Sequence, residues 1–296
     1  MADGVGGWND YGVDPKAYSN KICSLVMQNV KSHEDLYGNE NKMNKDILKS
    51  IFVKSVKQNT EQGSSTLLVI YLDPNKNKSD LYTAYLGDST FMIARPKRIG
   101  NFELIEKAEE QCHSFNYPFQ VGECGDDPYQ VNVKKHQVKE FDIVVAGTDG
   151  LWDNIEAEEI IEEINKLSKK YNSLKINTED LSKTISIKAE NYSNDRNHLS
   201  PFAKKARQGK YKDLKGGKPD DITVVSAQIL KNNPDECLYE IDLKQESSQD
   251  TIQTTTKIEK KFSTENFSDF TCTTADTSGK DIILSNHEEG EETNFS

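Results

Sequence analysis

The 296 residues carry 49 Asp and Glu against 37 Lys and Arg, a formal net charge of −12. That balance excludes bulk nucleic-acid binding, which needs cationic side chains to neutralise phosphates. No run of about 18 apolar residues is present to cross a bilayer, and as written the chain begins with neither a charged-then-apolar signal nor an Arg-rich leader.

Hydrophobic residues make up 34% and charged residues 29%. This is polar for a folded chain and predicts an ordered part beside a solvated one. The cysteines, Cys23, Cys112, Cys124, Cys237 and Cys272, form no Cys-x-x-Cys pair and are odd in number. Reduced thiols in an intracellular compartment follow, rather than a disulfide framework or a thiolate zinc site.

In chain order, 16–30 places Ile22, Leu25, Val26 and Val30 on one helical face, and 46–56 does the same with Ile47, Leu48, Ile51, Phe52 and Val56. Residues 65–72 are β-branched and apolar and read as a strand. A polar turn at 73–80 leads to a second strand at 81–86, which resumes at 91–94 after a break at Gly87-Asp88. A further strand at 141–146 is followed by helices at about 156–169 and 178–192, and a last strand covers 222–229. The short polar turn argues for antiparallel pairing over a doubly wound parallel sheet. From about 231 to 296 the composition turns to Ser, Thr, Glu, Asp, Asn and Gln, with apolar residues too sparse for a core. We expect an ordered domain over 1–230 and an acidic, Ser/Thr-rich disordered tail over 231–296.

Three acidic turns stand out: Ala2-Asp3-Gly4-Val5-Gly6-Gly7-Trp8, Gly147-Thr148-Asp149-Gly150-Leu151-Trp152-Asp153-Asn154 and Gly216-Gly217-Lys218-Pro219-Asp220-Asp221-Ile222-Thr223. Each sets a carboxylate next to glycine or proline at the end of an apolar run. One such turn is usually only a turn. Three together could bring their oxygens to one edge of a core, where a hard divalent cation is at home. Asp153 reads equally as a metal ligand or as the N-cap of a helix near Asn154, and Asp88 as a ligand or a strand kink. Paired carboxylates at Asp220 and Asp221 repel unless a cation or solvent intervenes.

These turns, with Gly63-Ser64-Ser65-Thr66, Leu86-Gly87-Asp88-Ser89 and Ser200-Pro201-Phe202-Ala203, resemble the metal-dependent protein phosphatases of type 2C, in that family's order and over nearly all of 2–230. The branch often found in mitochondria and plastids is the most similar. The resemblance implies an α+β fold, a four-layer α-β-β-α sandwich of two antiparallel sheets flanked by helices. It also implies Mn²⁺ or Mg²⁺, with Asp3 bridging two ions, the Gly4 carbonyl beside it, Asp149 and Asp220 on one ion, and Asp88 and Asp153 at a third position. The reaction implied is hydrolysis of phosphoserine and phosphothreonine by metal-activated water, which suits a chain with no convincing protein nucleophile.

The chain departs from the family in three places. The strand pair expected before the first turn, which supplies another acidic ligand and a phosphate-holding Arg, is not in the sequence, so an N-terminally incomplete chain is expected. Val5 stands where many members carry His, and Asp221 where many carry Asn. The basic run Arg196, Lys204, Lys205, Arg207, Lys210, Lys212, Lys215 and Lys218 is usually a solvated face; the alternative is that Lys204, Lys205 and Arg207 guide phosphorylated substrates. The expected partners are phosphorylated proteins, met by a monomer without nucleic acid or membrane. The expected compartment is cytoplasmic, or mitochondrial if a targeting region precedes Met1. Two other classes stay open: a catalytically inactive phosphatase-like binding protein, and a divalent-ion-binding protein without phosphate chemistry. Trp8 and Trp152 are expected in the core, and His113 as a hydrogen-bonded surface residue.

Overall fold

The computed structural model describes residues 1–37, 42–73, 80–209, 211–231 and 270–276. The chain starts along a sheet edge. The N–H groups of Leu68, Thr66 and Val5 donate to the carbonyls of Met1, Asp3 and Ser64 at 2.9, 2.9 and 3.0 Å. A 3-10 turn at Gly6–Tyr11 leads to helices α1 (Pro15–Tyr37) and α2 (Lys45–Gln58). Asn44 starts α2 by accepting from the Asp46 and Ile47 N–H groups, which would otherwise be unpaired.

The strands are β1 (Ser64–Ser65), β2 (Leu67–Leu72), β3 (Asp80–Leu86), β4 (Thr90–Arg98), β5 (Asn101–Lys107), β6 (Cys112–Ser114), β7 (Tyr117–Pro118), β8 (Val121–Gly122), β9 (Asn132–Gln137) and β10 (Ile143–Gly147). After β10 come α3 (Asp149–Trp152), α4 (Ala157–Tyr171), α5 (Thr178–Asn194), α6 (Pro201–Gln208), β11 (Thr223–Ile229) and β12 (Phe270–Asp276). One antiparallel sheet runs β12-β11-β10-β4-β5 and a second runs β2-β3-β9.

Side-chain alternation along these strands sorts the core into three apolar layers. Met92, Ala94, Ile143 and Val145 meet Leu151, Trp152, Ile160, Ile164, Leu181 and Ile185 of α3, α4 and α5. On the opposite face of the same strands, Phe91, Ile93, Val144 and Ala146 meet Leu68, Leu81 and Tyr85 of the second sheet. The far side of that sheet, with Leu67, Val69, Ala84 and Leu86, is covered by Ile22, Val26, Leu48 and Phe52 of α1 and α2. Helices, sheet, sheet and helices stack in that order, the four-layer sandwich expected.

Three expectations change. Gly87-Asp88 is not a break within one strand: β3 and β4 lie in different sheets, and the chain crosses between them there. Asp153 caps no helix start. It follows α3 at its C-terminal end, and α4 opens on Glu156, whose capping box with Glu159 satisfies the first-turn N–H groups. Trp8 stays outside the core, half-buried, with its indole N–H donated to Ser64 Oγ at 2.6 Å. Trp152 is in the core, donating to the carbonyls of Thr90 and Gly147. Within the segment expected as a disordered tail, Phe270–Asp276 pairs antiparallel along β11; the rest of it, like most of the 73–80 turn, lies outside the described residues.

Candidate active site

Four loops at one end of the sandwich carry the acidic residues. Asp3 is fixed by main chain: its N–H donates to Thr66 Oγ1 at 3.1 Å, and its carbonyl accepts from the Thr66 N–H. Gly4 pairs with Ser65 in an isolated antiparallel bridge. Asp88, 8% exposed, sits at the sheet-to-sheet crossing. Asp149 opens α3 directly after β10, a buried run of Ile143, Val144, Val145 and Ala146 that ends at Gly147. Asp220 precedes β11.

Hydrogen bonds lock the second and third turns together. Thr148 Oγ1 donates to the Asp221 carbonyl and accepts from the Thr223 N–H, both at 3.2 Å. Asn154, fully buried, donates to the carbonyls of Gly150 and Lys218 at 2.8 Å and accepts from the Lys218 N–H at 2.8 Å. Gly150 must be glycine for packing reasons: a Cβ there would lie 2.3 Å from the Asp221 carbonyl oxygen.

The acids feel one another. Burial, then the charges of Asp149 and Asp220, raise the Asp3 carboxyl to about 8. Burial, then Asp149, Asp153 and Glu110, raise Asp88 to about 7. Desolvated carboxylates with like-charged neighbours favour the protonated form unless a cation joins them. The donor set is all oxygen, which suits Mg²⁺ or Mn²⁺ rather than Zn²⁺, so the residues present fit such an ion.

Among the described residues, no three acidic, imidazole or thiol side chains close up around one point by themselves. The Lys218 ammonium lies between them, paired with Asp149, with Asp153 Oδ2 at 3.0 Å and with Asp220 Oδ2 at 3.1 Å. Burial opposes its charge, but Asp149 and Asp153 outweigh burial and raise its pKa.

The basic run is largely paired. Lys204 meets Glu156 at 2.8 Å, and Lys205 meets Glu110 at 2.6 Å and Asp153 at 3.3 Å. Arg207 donates to the Leu214 carbonyl; Lys210 lies outside the described residues. Asp221 is exposed, and its N–H donates to Asp220 Oδ1. His113 is hydrogen-bonded as expected, with Nε2 2.9 Å from Asp126 and its ring stacked on Phe119. Sequence reasoning missed the roles of Asn154, Glu110 and Lys218. Lys218 was legible only as one more positive charge, although its place two residues before Asp220 confines it to the site.

Proteins similar to this chain carry phosphatase names. Over 241 residues the chain is 34% identical to the zebrafish (Danio rerio) protein phosphatase PTC7 homolog, covering 78% of this chain and 76% of that one. The chain belongs to the type 2C family of metal-dependent serine/threonine protein phosphatases. The human (Homo sapiens) PTC7 homolog is equally similar, at 34% identity over 78% of this chain and 74% of its own length. The X-ray structure of the photosystem II phosphatase PBCP superposes with a TM-score of 0.62 at 26% identity, over 77% of this chain and 85% of that one. No family model matches the chain. Membership makes the protein a metal-dependent phosphoprotein hydrolase. Among its described residues no helix is long and apolar enough to cross a membrane.

Proposed function

We propose that the chain hydrolyses phosphoserine and phosphothreonine in proteins using Mn²⁺ or Mg²⁺ held by Asp3, the Gly4 carbonyl, Asp149 and Asp220, with Asp88 and Asp153 at a third position. When bound, such ions activate water and offset charge on the phosphoryl oxygens. The protein's own part is geometric. Thr148 and Asn154 hold the second and third acidic turns in register, and β1 holds the first. Gly150 lets the second turn pack directly against the Asp221 backbone. Preorganised groups of this kind lower a barrier because they need no rearrangement during reaction.

The observation that carries the reading is the convergence of Asp3 with Asp149, Asp220 and Asp88 from four separate loops; burial first, and then the charges of these neighbours, push the Asp3 carboxyl up to about 8. The phosphatase domain is taken as 1–230, acting as a monomer on phosphorylated proteins. Lys204, Lys205 and Arg207 are taken to guide the phosphorylated substrate, a reading supported at Lys204 by a side chain nearly half exposed beyond its pair with Glu156. The test is p-nitrophenyl phosphate hydrolysis against Mn²⁺ concentration, with Asp149→Asn as control. Metal-dependent turnover lost in the variant is expected; turnover that survives the substitution refutes the assignment.

A further inference from the structure

Lys218 is the most heavily engaged cation in the site. Its ammonium meets Asp149, Asp153 and Asp220, carboxylates contributed by two different turns. The side chain is only 17% exposed. Its backbone is clamped at both the N–H and the carbonyl by Asn154, each at 2.8 Å, and Pro219 restricts the chain beyond it. Lys205 lies on the flank, shared between Glu110 and the other oxygen of Asp153. No other residue of the basic run is described as meeting more than one of these carboxylates.

We propose that Lys218 is a built-in counter-cation of this cluster, which an incoming divalent ion must displace from Asp149, Asp153 and Asp220. The inference rests on the metal-phosphatase reading and adds a competitor to it. An ammonium has three donors and no acceptor, so it can hold three carboxylates together at hydrogen-bond distance. A Mg²⁺-sized ion needs the same oxygens at about 2.0–2.1 Å. Held on the same carboxylates, the ammonium and the divalent ion would be like-charged neighbours, and that repulsion sets them in competition. The displaced ammonium has a place to go, since Nζ is already 5.5 Å from the centre of the Phe202 ring, whose face attracts a cation.

Removing the ammonium therefore has two opposite effects. The carboxylates lose the charge that offsets their repulsion, and the metal loses its competitor. A merely structural lysine would show only the first.

The test is isothermal titration of Mn²⁺ into the full chain, wild type against Lys218→Met, Lys218→Arg and Asp149→Asn, with thermal melts of each in EDTA. Lys218→Met is expected to melt lower in EDTA yet bind Mn²⁺ about tenfold more tightly, the scale of one charge-assisted contact. Lys218→Arg keeps the charge and is expected to stay within about threefold of wild type, and it serves as the folded control. Lys218→Met affinity equal to or weaker than wild type overturns the proposal while leaving the metal site standing. Mn²⁺ binding that is absent from wild type, or untouched by Asp149→Asn, overturns both.

Discussion

Gly150 and Asp221 touch backbone to backbone: a single methyl group on Gly150 would sit 2.3 Å from the Asp221 carbonyl oxygen. The second and third acidic turns are thus one packed unit. Gly150→Ala must push them apart, and it should cost about 1–3 kcal/mol in a denaturant titration, the usual scale of overpacking. Activity should fall further than stability, because Asp149 and Asp220 separate. A variant with wild-type unfolding midpoint and turnover would show that the two turns do not need this contact.

Asn154 makes the second link. Its amide satisfies both the N–H and the carbonyl of Lys218 and the carbonyl of Gly150. Asn154→Ala leaves those groups unpaired and should cost about 1–3 kcal/mol, with kcat/KM reduced in step. Asp142 is the contrasting control. It is fully buried and holds Arg95 through two contacts at 2.6 and 2.9 Å, and it accepts from the Lys139 N–H. Asp142→Ala should destabilise by about 3–5 kcal/mol, but at a temperature where it stays folded its kcat/KM should match wild type.

The acidic cluster predicts an unusual pH dependence. Folding raises Asp3 to about 8 and Asp88 to about 7, while unfolded carboxyls titrate near 4. Between those limits the folded protein binds protons that the unfolded chain does not. Stability in the presence of chelator therefore falls as pH rises from about 4 to about 8. The raised pKa of Lys218 does not act in that window, since a lysine contribution is lost only as pH climbs through its folded value. Urea midpoints at pH 5, 6, 7 and 8 in EDTA should decline, and saturating Mn²⁺ should abolish the decline. A flat profile in EDTA would mean that Asp3 and Asp88 are neither desolvated nor in the field of their acidic neighbours.

Asp3→Asn separates stability from function. It removes the carboxylate whose charge is most penalised, first by burial and then by its acidic neighbours, so the variant should melt higher than wild type in EDTA at pH 8. It should also lose the protection that wild type gains from Mn²⁺. A variant that melts lower in EDTA would show that favourable contacts of the Asp3 carboxylate outweigh the cost of its burial and of its neighbours' charge.

The layers were legible because their residues repeat. Ile22, Val26, Leu48 and Phe52 recur at helical spacing, and the buried runs of β2, β3 and β10 are long and apolar. β9 was not legible: Lys134, Lys135 and His136 hide a strand whose His136 is buried on Thr83 and Glu106. β5 was missed for a similar reason, since Glu103 and Glu106 interrupt its apolar residues. The crossing at Gly87-Asp88 could not be read, because one sequence serves equally for a kinked strand and for two strands in different sheets. In the site, the carboxylates announced themselves through their turns. Their mutual field and the place of Lys218 among them depend on distances between segments some 70 residues apart, which local pattern does not carry.

The most direct test of the account is phosphate release from a phosphothreonine peptide as Mn²⁺ is titrated, for wild type and Asp3→Asn side by side. Saturable, Mn²⁺-dependent release is expected from wild type. The variant should lose at least about 100-fold, the usual scale for removing groups that stabilise transition-state charge. Equal release by the two proteins, or release that ignores Mn²⁺, would contradict it.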